Sequence, residues 1–496
     1  MKARGEVLLL SCYELGHQPL TLASPLAALS GAGYVPAAVD TAVAGLADAE
    51  IQQAKLIAIS VPMHTALRLG VDVARRIRSV NPDAHTCFYG LYAWLNAAYL
   101  FAEGLADSVI GGEFETPLLD LAEQLGSEVS QGGVAARQSS AATGGRGTVG
   151  RPIPGVARPG QPAAPHLQRV PFRLPRREGL PALAAYAGLL HEGAVEPAGY
   201  VEATRGCKHT CAHCPITPVY RGRFFAVPRD LVLEDIRQQV QAGARHITFG
   251  DPDFLNGPTH AMRIARALHQ EFGQLTFDVT VKVEHILACR ELFPELRRLG
   301  CVFLVSAVES LSDTVLAHLR KGHTRADVAA ALEVLRAAGI PLRASLVSFT
   351  PWTTLSDYLE LLDFVALEGL IDSIDPVHYA IRLLVPPGSA LLDDPATADW
   401  LGPLDEASFG YTWMHADARM ERLFEEVSGI VAEAACEGQD AALTFGLVRQ
   451  AAQRQAGLPL SPPPDLAPNR PLPPRLTETW FCCAEPVQQQ LAKLAH

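Results

Sequence analysis

The sequence predicts an α/β protein: an N-terminal doubly wound parallel sheet, then a partial parallel (β/α)6 barrel, then a helical C-terminal region. Short apolar runs alternate with amphipathic segments over residues 5–126. The alternation stops in a stretch rich in glycine, proline and arginine, and it resumes after Gly199 for six further units. With 496 residues the chain is too long for one ordinary core, so two or three domains are expected.

Composition and charge narrow the classes of function. Hydrophobic residues make up 48% of the chain and charged residues 19%, as in globular proteins. The net charge of −12 argues against a nucleic-acid partner and favours a small-molecule substrate. No apolar run is long enough to cross a bilayer, and residues 7–10 are too short for a signal peptide. We therefore expect a cytoplasmic protein without a membrane partner, whose ten cysteines serve metal binding, catalysis or burial.

Residues 1–126 form the predicted N-terminal domain. Residues 6–11 and 55–61 are apolar runs of strand length, and the second (KLIAISV) is typical of a strand buried on both faces. Residues 65–79 follow as an amphipathic helix. The segment ADSVIGGEFETPLLDLAEQL then indicates a strand, a glycine turn and a helix. Such units predict a doubly wound sheet with ligands at the carboxyl ends of its strands.

Residues 127–197 have the composition of a flexible linker and connector. They are rich in glycine, serine, alanine, proline and arginine and show no hydrophobic periodicity. Between Val134 and Arg177 there are eight arginines and no acidic residue. A solvated linker explains this charge better than an electrostatic tether for an acidic partner.

Residues 198–392 form the predicted barrel. The strand candidates are 200–203, 246–250, 276–283, 302–307, 342–348 and 375–385. Beyond residue 393 longer helical patterns dominate, followed by a proline-rich segment and the tail. Residues 393–496 are therefore predicted to form a helical C-terminal region.

The strongest chemical signal is the segment VEATRGCKHTCAHCP. Its cysteines, Cys207, Cys211 and Cys214, are spaced C-x3-C-x2-C on the loop after the first barrel strand. Three thiolates on one loop can hold three irons of a [4Fe–4S] cluster and leave the fourth iron open for another ligand. The alternative is a zinc site with His209 or His213 as fourth ligand. We favour the cluster because no second C-x2-C pair follows at a suitable distance.

At this motif the chain resembles the radical S-adenosylmethionine (SAM) superfamily, and the resemblance covers roughly residues 198–390. It implies that the open iron chelates the amino and carboxylate groups of SAM. An electron from the cluster then cleaves SAM to methionine and a 5′-deoxyadenosyl radical. By position, Cys207, Cys211 and Cys214 look like the cluster ligands. His213 stands where the family usually places an aromatic residue near the adenine.

Other elements of the resemblance appear in order along the barrel. GDPD would receive the methionine ammonium, the segment SAVES would bond the ribose hydroxyls, and LRASLVS would face the methionine carboxylate or the ribose. The implied SAM contacts are Gly250, Asp251, Asp253, Glu309, Ser310, Arg343 and Ser345. The alternatives are a simple turn residue at Asp251 and a helix N-terminal charge at Glu309.

The N-terminal domain resembles that of the cobalamin-binding class of the superfamily. Loops at the predicted carboxyl edge of the sheet would contact the corrinoid, where small residues let a flat macrocycle approach the backbone. The implied contacts are Ser60, Thr65, Gly90, Gly111 and Gly112. The Asp-x-His-x-x-Gly signature is absent, and CYELGHQP offers only a displaced His17. The alternative is a domain that kept the fold and uses it to bind or cover substrate.

The ending WFCCAEP resembles the CUAEP/CCAEP-tail radical SAM (seleno)protein subgroup, in which some members carry selenocysteine at the position of Cys483. The resemblance implies a redox or nucleophilic role for Cys482 and Cys483. A disulfide between neighbours is strained and easily reduced, and two adjacent thiolates form a soft donor pair. Trp480 and Phe481 could dock the tail near the barrel mouth. The alternative is a frayed terminus with two incidental cysteines.

Together these features predict a radical SAM enzyme that modifies a small molecule by methyl transfer or by forming a carbon–heteroatom bond. The implied cofactors are a [4Fe–4S] cluster, SAM and, for one branch, cobalamin. The implied partner is a low-potential electron donor such as flavodoxin or ferredoxin. A competing prediction is a non-catalytic iron–sulfur redox or metal sensor with the tail dithiol as its output.

Overall fold

A computed structural model of the chain describes residues 1–130, 151–169, 171–467 and 469–478. The predicted tail thiols Cys482 and Cys483 lie outside the described residues. Within the described ranges, no helix combines the length and the apolar character that a membrane span requires.

Six strands build the N-terminal sheet. They are β1 (Val7–Ser11), β2 (Ala37–Asp40), β3 (Leu56–Ser60), β4 (His85–Tyr89), β5 (Ser108–Ile110) and β6 (Val156–Ala157). The helices are α1 (Leu20–Gly31), α2 (Asp48–Gln53), α3 (His64–Val80), α4 (Leu91–Leu95), α5 (Ala97–Ala102) and α6 (Glu115–Ser130). The strand order is β2-β1-β3-β4-β5-β6, with β1 to β5 parallel and β6 antiparallel.

Both faces of this sheet are buried. Along β1, Leu8 and Leu10 belong to one hydrophobic core, and Val7 and Leu9 belong to the core on the other face. All four side chains are at most 1% exposed. A continuous apolar run is what a parallel strand between two helix layers requires, so the predicted doubly wound sheet is confirmed.

The second domain is built on a curled sheet of mainly parallel strands. Its region contains β7 (Gly188–His191), β8 (Ala194–Val201), β9 (Thr204–Gly206), β10 (Phe224–Ala226), β11 (His246–Phe249), β12 (Thr276–Thr280), β13 (Cys301–Glu309) and β14 (Leu342–Leu346). The helices are α7 (Ile216–Tyr220), α8 (Arg229–Gln241), α9 (Pro258–Glu271), α10 (Val283–Ala288), α11 (Phe293–Arg298), α12 (Asp313–His318), α13 (Arg325–Ala338) and α14 (Leu355–Leu367). Strands β8 and β11 to β14 are parallel and form the half-barrel.

The C-terminal region is only partly helical. It contains the hairpin β15 (Leu401–Asp405) and β16 (Gly410–Trp413), the helices α15 (Ala418–Glu437) and α16 (Ala441–Ala456), and β17 (Arg475–Leu476). Strand β17 pairs antiparallel with β7 and extends the half-barrel sheet, whose order is β14-β13-β12-β11-β8-β7-β17.

The prediction of a sixth barrel strand over residues 375–385 is wrong. Pro376–Tyr379 is a 3₁₀ turn, and the segment contributes one isolated parallel bridge between Arg382 and Phe349. Proline at the start of the segment has no N–H for a sheet hydrogen bond, and its fixed φ suits the first position of a helical turn. The barrel therefore has five parallel strands.

Residues 127–197 also differ from the expectation of a featureless linker. Strand β6 extends the N-terminal sheet, and β7 together with the first half of β8 extends the barrel sheet. The segment thus joins the two domains as part of both sheets.

A buried ion pair fastens this connector to the barrel. The guanidinium of Arg177 donates to both carboxylate oxygens of Asp235 on α8, at 2.6 and 2.8 Å. It also donates to Gln18 Oε1 of the N-terminal domain at 3.0 Å and to the carbonyl of Tyr200 on β8 at 2.6 Å. The side chains of Arg177 and Asp235 are 7% and 5% exposed, so water cannot replace either partner.

We predict that Arg177→Met destabilises the chain by about 3–5 kcal/mol, because it leaves the Asp235 carboxylate buried without a counter-charge. Chemical denaturation followed by circular dichroism measures the change. The matched control is Arg237→Met, at an exposed pair with Glu271, and it should leave the unfolding midpoint nearly unchanged. Equal effects of the two substitutions would contradict the prediction.

Candidate active site

The three motif cysteines lie on the loop between β9 and β10, which form a two-stranded antiparallel ribbon. Gly206, at the end of β9, has φ +81°, and a Cβ there would lie 2.6 Å from the Tyr220 ring. A side chain at this position would clash, so glycine is required for the loop to begin.

Hydrogen bonds from two parts of the barrel hold this cysteine loop. Asn256 accepts from the Lys208 N–H at 3.2 Å and donates to the Gly206 carbonyl at 3.2 Å. The Ala212 N–H donates to the Leu319 carbonyl at 2.9 Å. The sequence interpretation missed Asn256, which lies about 50 residues from its partners and follows the GDPD segment.

The spacing of the three thiols disfavours a single zinc ion. A tetrahedral zinc site brings sulfur atoms within about 3.8 Å of one another. Among the described residues, the one trio of metal-ligating side chains within 4.8 Å is His209, Asp253 and His285, so the thiols are not gathered that closely. Of the two predicted fourth zinc ligands, His209 has its Nε2 facing Asp253 and His213 has its Nε2 facing Glu309.

Burial keeps the thiols of Cys207 and Cys214 protonated when no metal is bound. Burial, with a smaller contribution from the neighbouring Cys211, raises the pKa of Cys207 to about 11 and that of Cys214 to about 12. Cys211 is itself 8% exposed. Metal binding must therefore displace protons, and bound iron would supply the positive charge that stabilises the thiolates.

Glu309 ends β13 at a β-bulge, with a left-handed φ of +64°. Its Oε1 lies 3.2 Å from Lys321 Nζ and 3.3 Å from His213 Nε2, and all three side chains are at most 9% exposed. Burial alone would raise the pKa of the Glu309 carboxyl, but Lys321 and then His213 outweigh it and lower the pKa to about 2. Glu309 is therefore a fixed anion beside the cysteine loop. Lys321 was not predicted from the sequence.

The interior of the half-barrel is polar. On β11, Ile247 and Phe249 belong to the helix-side core. Strand alternation places His246 and Thr248 on the inner face, where both contact Asp278 Oδ1, at 2.8 and 2.7 Å. A parallel sheet covered by helices on one face is expected to bind its ligand on the other, near the carboxyl ends of its strands.

On β14, Arg343 and Ser345 lie on the inner face, opposite Leu342, Ala344 and Leu346 in the helix-side core. Arg343 Nη2 donates to Asp375 Oδ2 at 2.6 Å. Arg343 Nη1 and Ser345 Oγ are buried and have no hydrogen-bond partner. Such groups are costly unless a ligand satisfies them, so these two predicted SAM contacts lie where they can serve a polar ligand.

Three other predicted SAM contacts have local roles. Asp251 accepts hydrogen bonds from Ala203 N, Thr204 N and Thr204 Oγ1, and burial raises its pKa to about 7. Gly250 leaves room for the Tyr200 hydroxyl, which a Cβ would approach to 2.1 Å. Ser310 Oγ accepts from the Ser312 N–H. Asp251 thus binds the backbone at the start of β9, and the role of each residue toward SAM stays a prediction.

Asp253 is held by two imidazoles. Its Oδ2 lies 2.6 Å from His285 Nδ1 and 3.3 Å from His209 Nε2, and its Oδ1 accepts from the Leu255 N–H at 2.9 Å. Burial would raise the pKa of the carboxyl, but the two imidazoles outweigh it and lower it. Asp253 Oδ2 therefore faces two ring nitrogens at short range, although neither contact has the geometry of a hydrogen bond.

The candidate corrinoid contacts cluster at the carboxyl edge of the N-terminal sheet, as predicted. Packing within the chain explains why three of these positions require glycine. A Cβ at Gly111 would lie 2.4 Å from the Trp94 ring, one at Gly112 would lie 2.3 Å from the His166 carbonyl oxygen, and one at Gly90 would lie 2.9 Å from a backbone oxygen. These three glycines therefore do not form a cradle for a macrocycle, and their role toward a corrinoid stays a prediction.

The other candidate residues at this edge of the sheet differ in their capacity to bind a polar ligand. Ser60 Oγ and Thr65 Oγ1 are buried without a hydrogen-bond partner, which leaves polar capacity for a ligand. His17 stacks on Tyr200 with ring centroids 4.4 Å apart, and burial lowers its pKa to about 4. It packs as a neutral ring between the two domains.

The loop GGEFET contacts the cysteine loop directly. Arg205, two residues before Cys207, lies 3.0 Å from Glu113 and 2.8 Å from Glu115 of the N-terminal domain. Tyr220 also donates to Glu113 at 2.9 Å. This contact between domains was not predicted.

Two solved structures share the fold. The cobalamin-dependent SAM radical enzyme OxsB, solved with aqua-cobalamin and SAM, is 15% identical with a TM-score of 0.63, over 87% of this chain and 67% of that one. The radical SAM methyltransferase TsrM from Kitasatospora setae, solved with tryptophan and a SAM analogue, is 16% identical with a TM-score of 0.55, over 73% of this chain and 71% of that one. At these identities the likeness concerns the fold alone.

Curated relatives match part of the chain. The hopanoid C-3 methylase of Methylococcus capsulatus is 24% identical over 284 residues, which cover 57% of this chain and 50% of the relative. The ribosomal protein uS12 methylthiotransferase of Porphyromonas gingivalis is 28% identical over 179 residues, covering 34% and 40%. The chain thus spans half or less of the length of these relatives.

The family comparison covers the half-barrel and the cysteine loop. Residues 201–365 match the model of the radical SAM superfamily. The matched segment includes the three cysteines, Glu309 and the β14 residues described above, and proteins of this superfamily use a [4Fe–4S] cluster and SAM. The similarity of the chain to the radical SAM superfamily thus lies in residues 201–365.

Proposed function

We propose that the chain is a radical SAM enzyme that cleaves SAM reductively and modifies a small molecule. The observation that carries the proposal is the loop of Cys207, Cys211 and Cys214, whose neighbouring histidines are engaged by carboxylates. A cluster bound there supplies the electron that breaks a carbon–sulfur bond of SAM, and a low-potential donor such as flavodoxin or ferredoxin must replenish it.

The residues around the loop suit this chemistry. The three thiolates would hold three irons. Lys321 lies beside Glu309, whose negative charge raises the Lys321 pKa against the effect of burial, so it stays cationic. Its charge would offset that of a thiolate-bound cluster. Arg343 Nη1 and Ser345 Oγ offer unused donors for the carboxylate or ribose of SAM.

The names of the curated relatives support transfer of a methyl or methylthio group. This agrees with both reaction branches that the sequence predicts, methyl transfer and carbon–heteroatom bond formation. Cobalamin assistance of the methyl branch rests on the fold of the N-terminal domain and on the unpartnered hydroxyls of Ser60 and Thr65. The packed glycines Gly90, Gly111 and Gly112 give it no support.

We also propose that the tail dithiol, the mark of the CCAEP subgroup, takes part in the reaction. Thr477 is hydrogen-bonded to Gly188 through both its N–H and its hydroxyl, and Glu478 packs on Gly16. These residues line a cleft of about 280 Å³ between the domains, together with Tyr13, Glu14, His17, Asp40, Ala42, Val43, Ala185, Tyr186 and Ala187. Five residues of extended chain reach about 18 Å, so Cys483 can reach this cleft from Glu478.

We predict that Cys211→Ala abolishes SAM cleavage and lowers iron and sulfide after anaerobic reconstitution from near four per chain, because one ligand of the cluster is lost. The control, Cys289→Ala, removes a thiol outside the motif and should retain both. SAM cleavage by the Cys211 variant would contradict the proposal, and cluster binding without SAM cleavage in the unsubstituted chain would favour the sensor. Corrinoid retained in the unsubstituted protein would support cobalamin assistance.

We predict that Glu309→Gln weakens SAM binding about tenfold to a hundredfold, because hydrogen bonds from ribose hydroxyls to a charged acceptor are lost. The Glu309 pKa of about 2 lies below its usual value, so the carboxylate is ionised throughout the range above about pH 4. The loss should therefore be the same at pH 6 and pH 8, by equilibrium binding with an intact cluster. The exposed control Glu291→Gln should bind normally, and a loss that appears at one pH alone would contradict the assignment.

We predict that Cys483→Ser leaves SAM cleavage intact and abolishes formation of the modified product, because the serine hydroxyl is neither a good hydrogen-atom donor nor a soft ligand. Product formation is followed by mass spectrometry with extracts as the substrate source. Cys436→Ser, at an exposed cysteine of α15, is the control. Unchanged product formation would identify the tail as incidental.

A further inference from the structure

One side-chain cluster next to the cysteine loop has the composition of a metal site. His209 Nε2, Asp253 Oδ2 and His285 Nδ1 lie within 4.8 Å of one another, and the two imidazole rings are 4.7 Å apart. From this geometry we infer that His209, Asp253 and His285 bind one divalent transition-metal ion, zinc or ferrous iron, separate from the three thiols.

The hydrogen bonding of the trio supports a missing cation. All three atoms are buried, and none has a hydrogen-bond partner with acceptable geometry, although His285 Nδ1 lies 2.6 Å from Asp253 Oδ2. A buried polar atom without a partner destabilises the folded chain. One cation bound between the three atoms would satisfy all of them at once. Hydrogen bonds among the three atoms do not satisfy them in the observed arrangement.

The surroundings hold the three ligands in place. Asp253 Oδ1 accepts from the Leu255 N–H at 2.9 Å, so the carboxylate is oriented with Oδ2 toward the imidazoles. His209 Nδ1, the ring nitrogen that would not bind the metal, lies 3.4 Å from Lys282 Nζ and 3.5 Å from Glu284 Oε2. Polar groups at the outer nitrogen of a histidine orient its ring for metal binding. Lys282 in turn binds Glu284.

The donor set selects the class of ion. Two imidazoles and one carboxylate suit zinc or ferrous iron and are poor ligands for magnesium or calcium, which prefer oxygen donors. Three protein ligands leave at least one coordination position open. The His209 side chain is 15% exposed, against 8% for His285 and 1% for Asp253, so an ion would enter from the His209 side.

The site shares the cysteine loop but uses none of its thiols. His209 lies between Cys207 and Cys211, so a bound ion would tie the middle of this loop to the turn after β11 and to α10. The inference does not depend on the proposed reaction, because none of the three ligands is a thiol of the cysteine loop.

Co²⁺ alone tests the site in the full-length chain with Cys207, Cys211 and Cys214 changed to Ala and Cys482 and Cys483 changed to Ser. We expect one Co²⁺ per chain, with visible d–d bands and no thiolate-to-cobalt charge-transfer band. In this background, His285→Ala and His209→Ala should each weaken Co²⁺ binding at least tenfold. His191→Ala, on the β7 strand, is the matched control and should bind as the background does.

The variants differ in their risk to the fold. His285 is buried, whereas His209 is partly exposed, so His209→Ala remains informative if His285→Ala unfolds by circular dichroism. Absence of stoichiometric Co²⁺ binding in the folded background would overturn the inference. A thiolate charge-transfer band, or unchanged affinity in His209→Ala, would overturn it as well, because the ion would then lie elsewhere.

Discussion

One buried guanidinium joins the cysteine loop to the N-terminal domain, and the geometry of the candidate active site depends on it. Arg205 lies within 3.1 Å of Glu113, Glu115 and Glu202, and it packs over the rings of Phe114 and Phe172. A planar guanidinium presents several donors in fixed directions and can serve three carboxylates at once. Burial raises the pKa of Glu113 and so favours a proton on that carboxyl. A proton on Glu113 reduces the excess of negative charge around Arg205.

This contact gives the N-terminal domain a structural task that does not require a cofactor. The close packing of Gly112 under the His166 carbonyl brings the following Glu113 and Glu115 to Arg205. The loop thus fixes the start of the cysteine motif from outside the barrel. The half-barrel holds the rest of the motif through Asn256 and Leu319. The loop is therefore positioned by both domains.

The sequence predicted what local patterns can encode. The apolar runs of β1 and β3 identify buried parallel strands, and C-x3-C-x2-C identifies a three-thiol loop. Local patterns cannot encode partners brought together by the fold, so Arg205, Asn256, Lys321 and His285 were missed. A basic residue two positions before the first cysteine was the one available signal for Arg205. The strand predicted at 375–385 failed because apolar composition outweighed the proline at its start.

The electrostatics of the cleft between the domains limit what the tail dithiol can do there. Glu14, Asp40 and Glu478 line the cleft, and no lysine or arginine lines it in the described part of the chain. Burial raises the pKa of Glu14 to about 8 and also raises that of Asp40. A thiolate would be disfavoured for the same reason, so a cysteine reaching this cleft would stay a neutral thiol.

A neutral thiol has a hydrogen atom to give, whereas nucleophilic attack and metal binding need the thiolate. Of the roles open to Cys482 and Cys483, hydrogen-atom donation therefore fits this cleft best, and a role as a thiolate ligand requires a cation to arrive with the substrate.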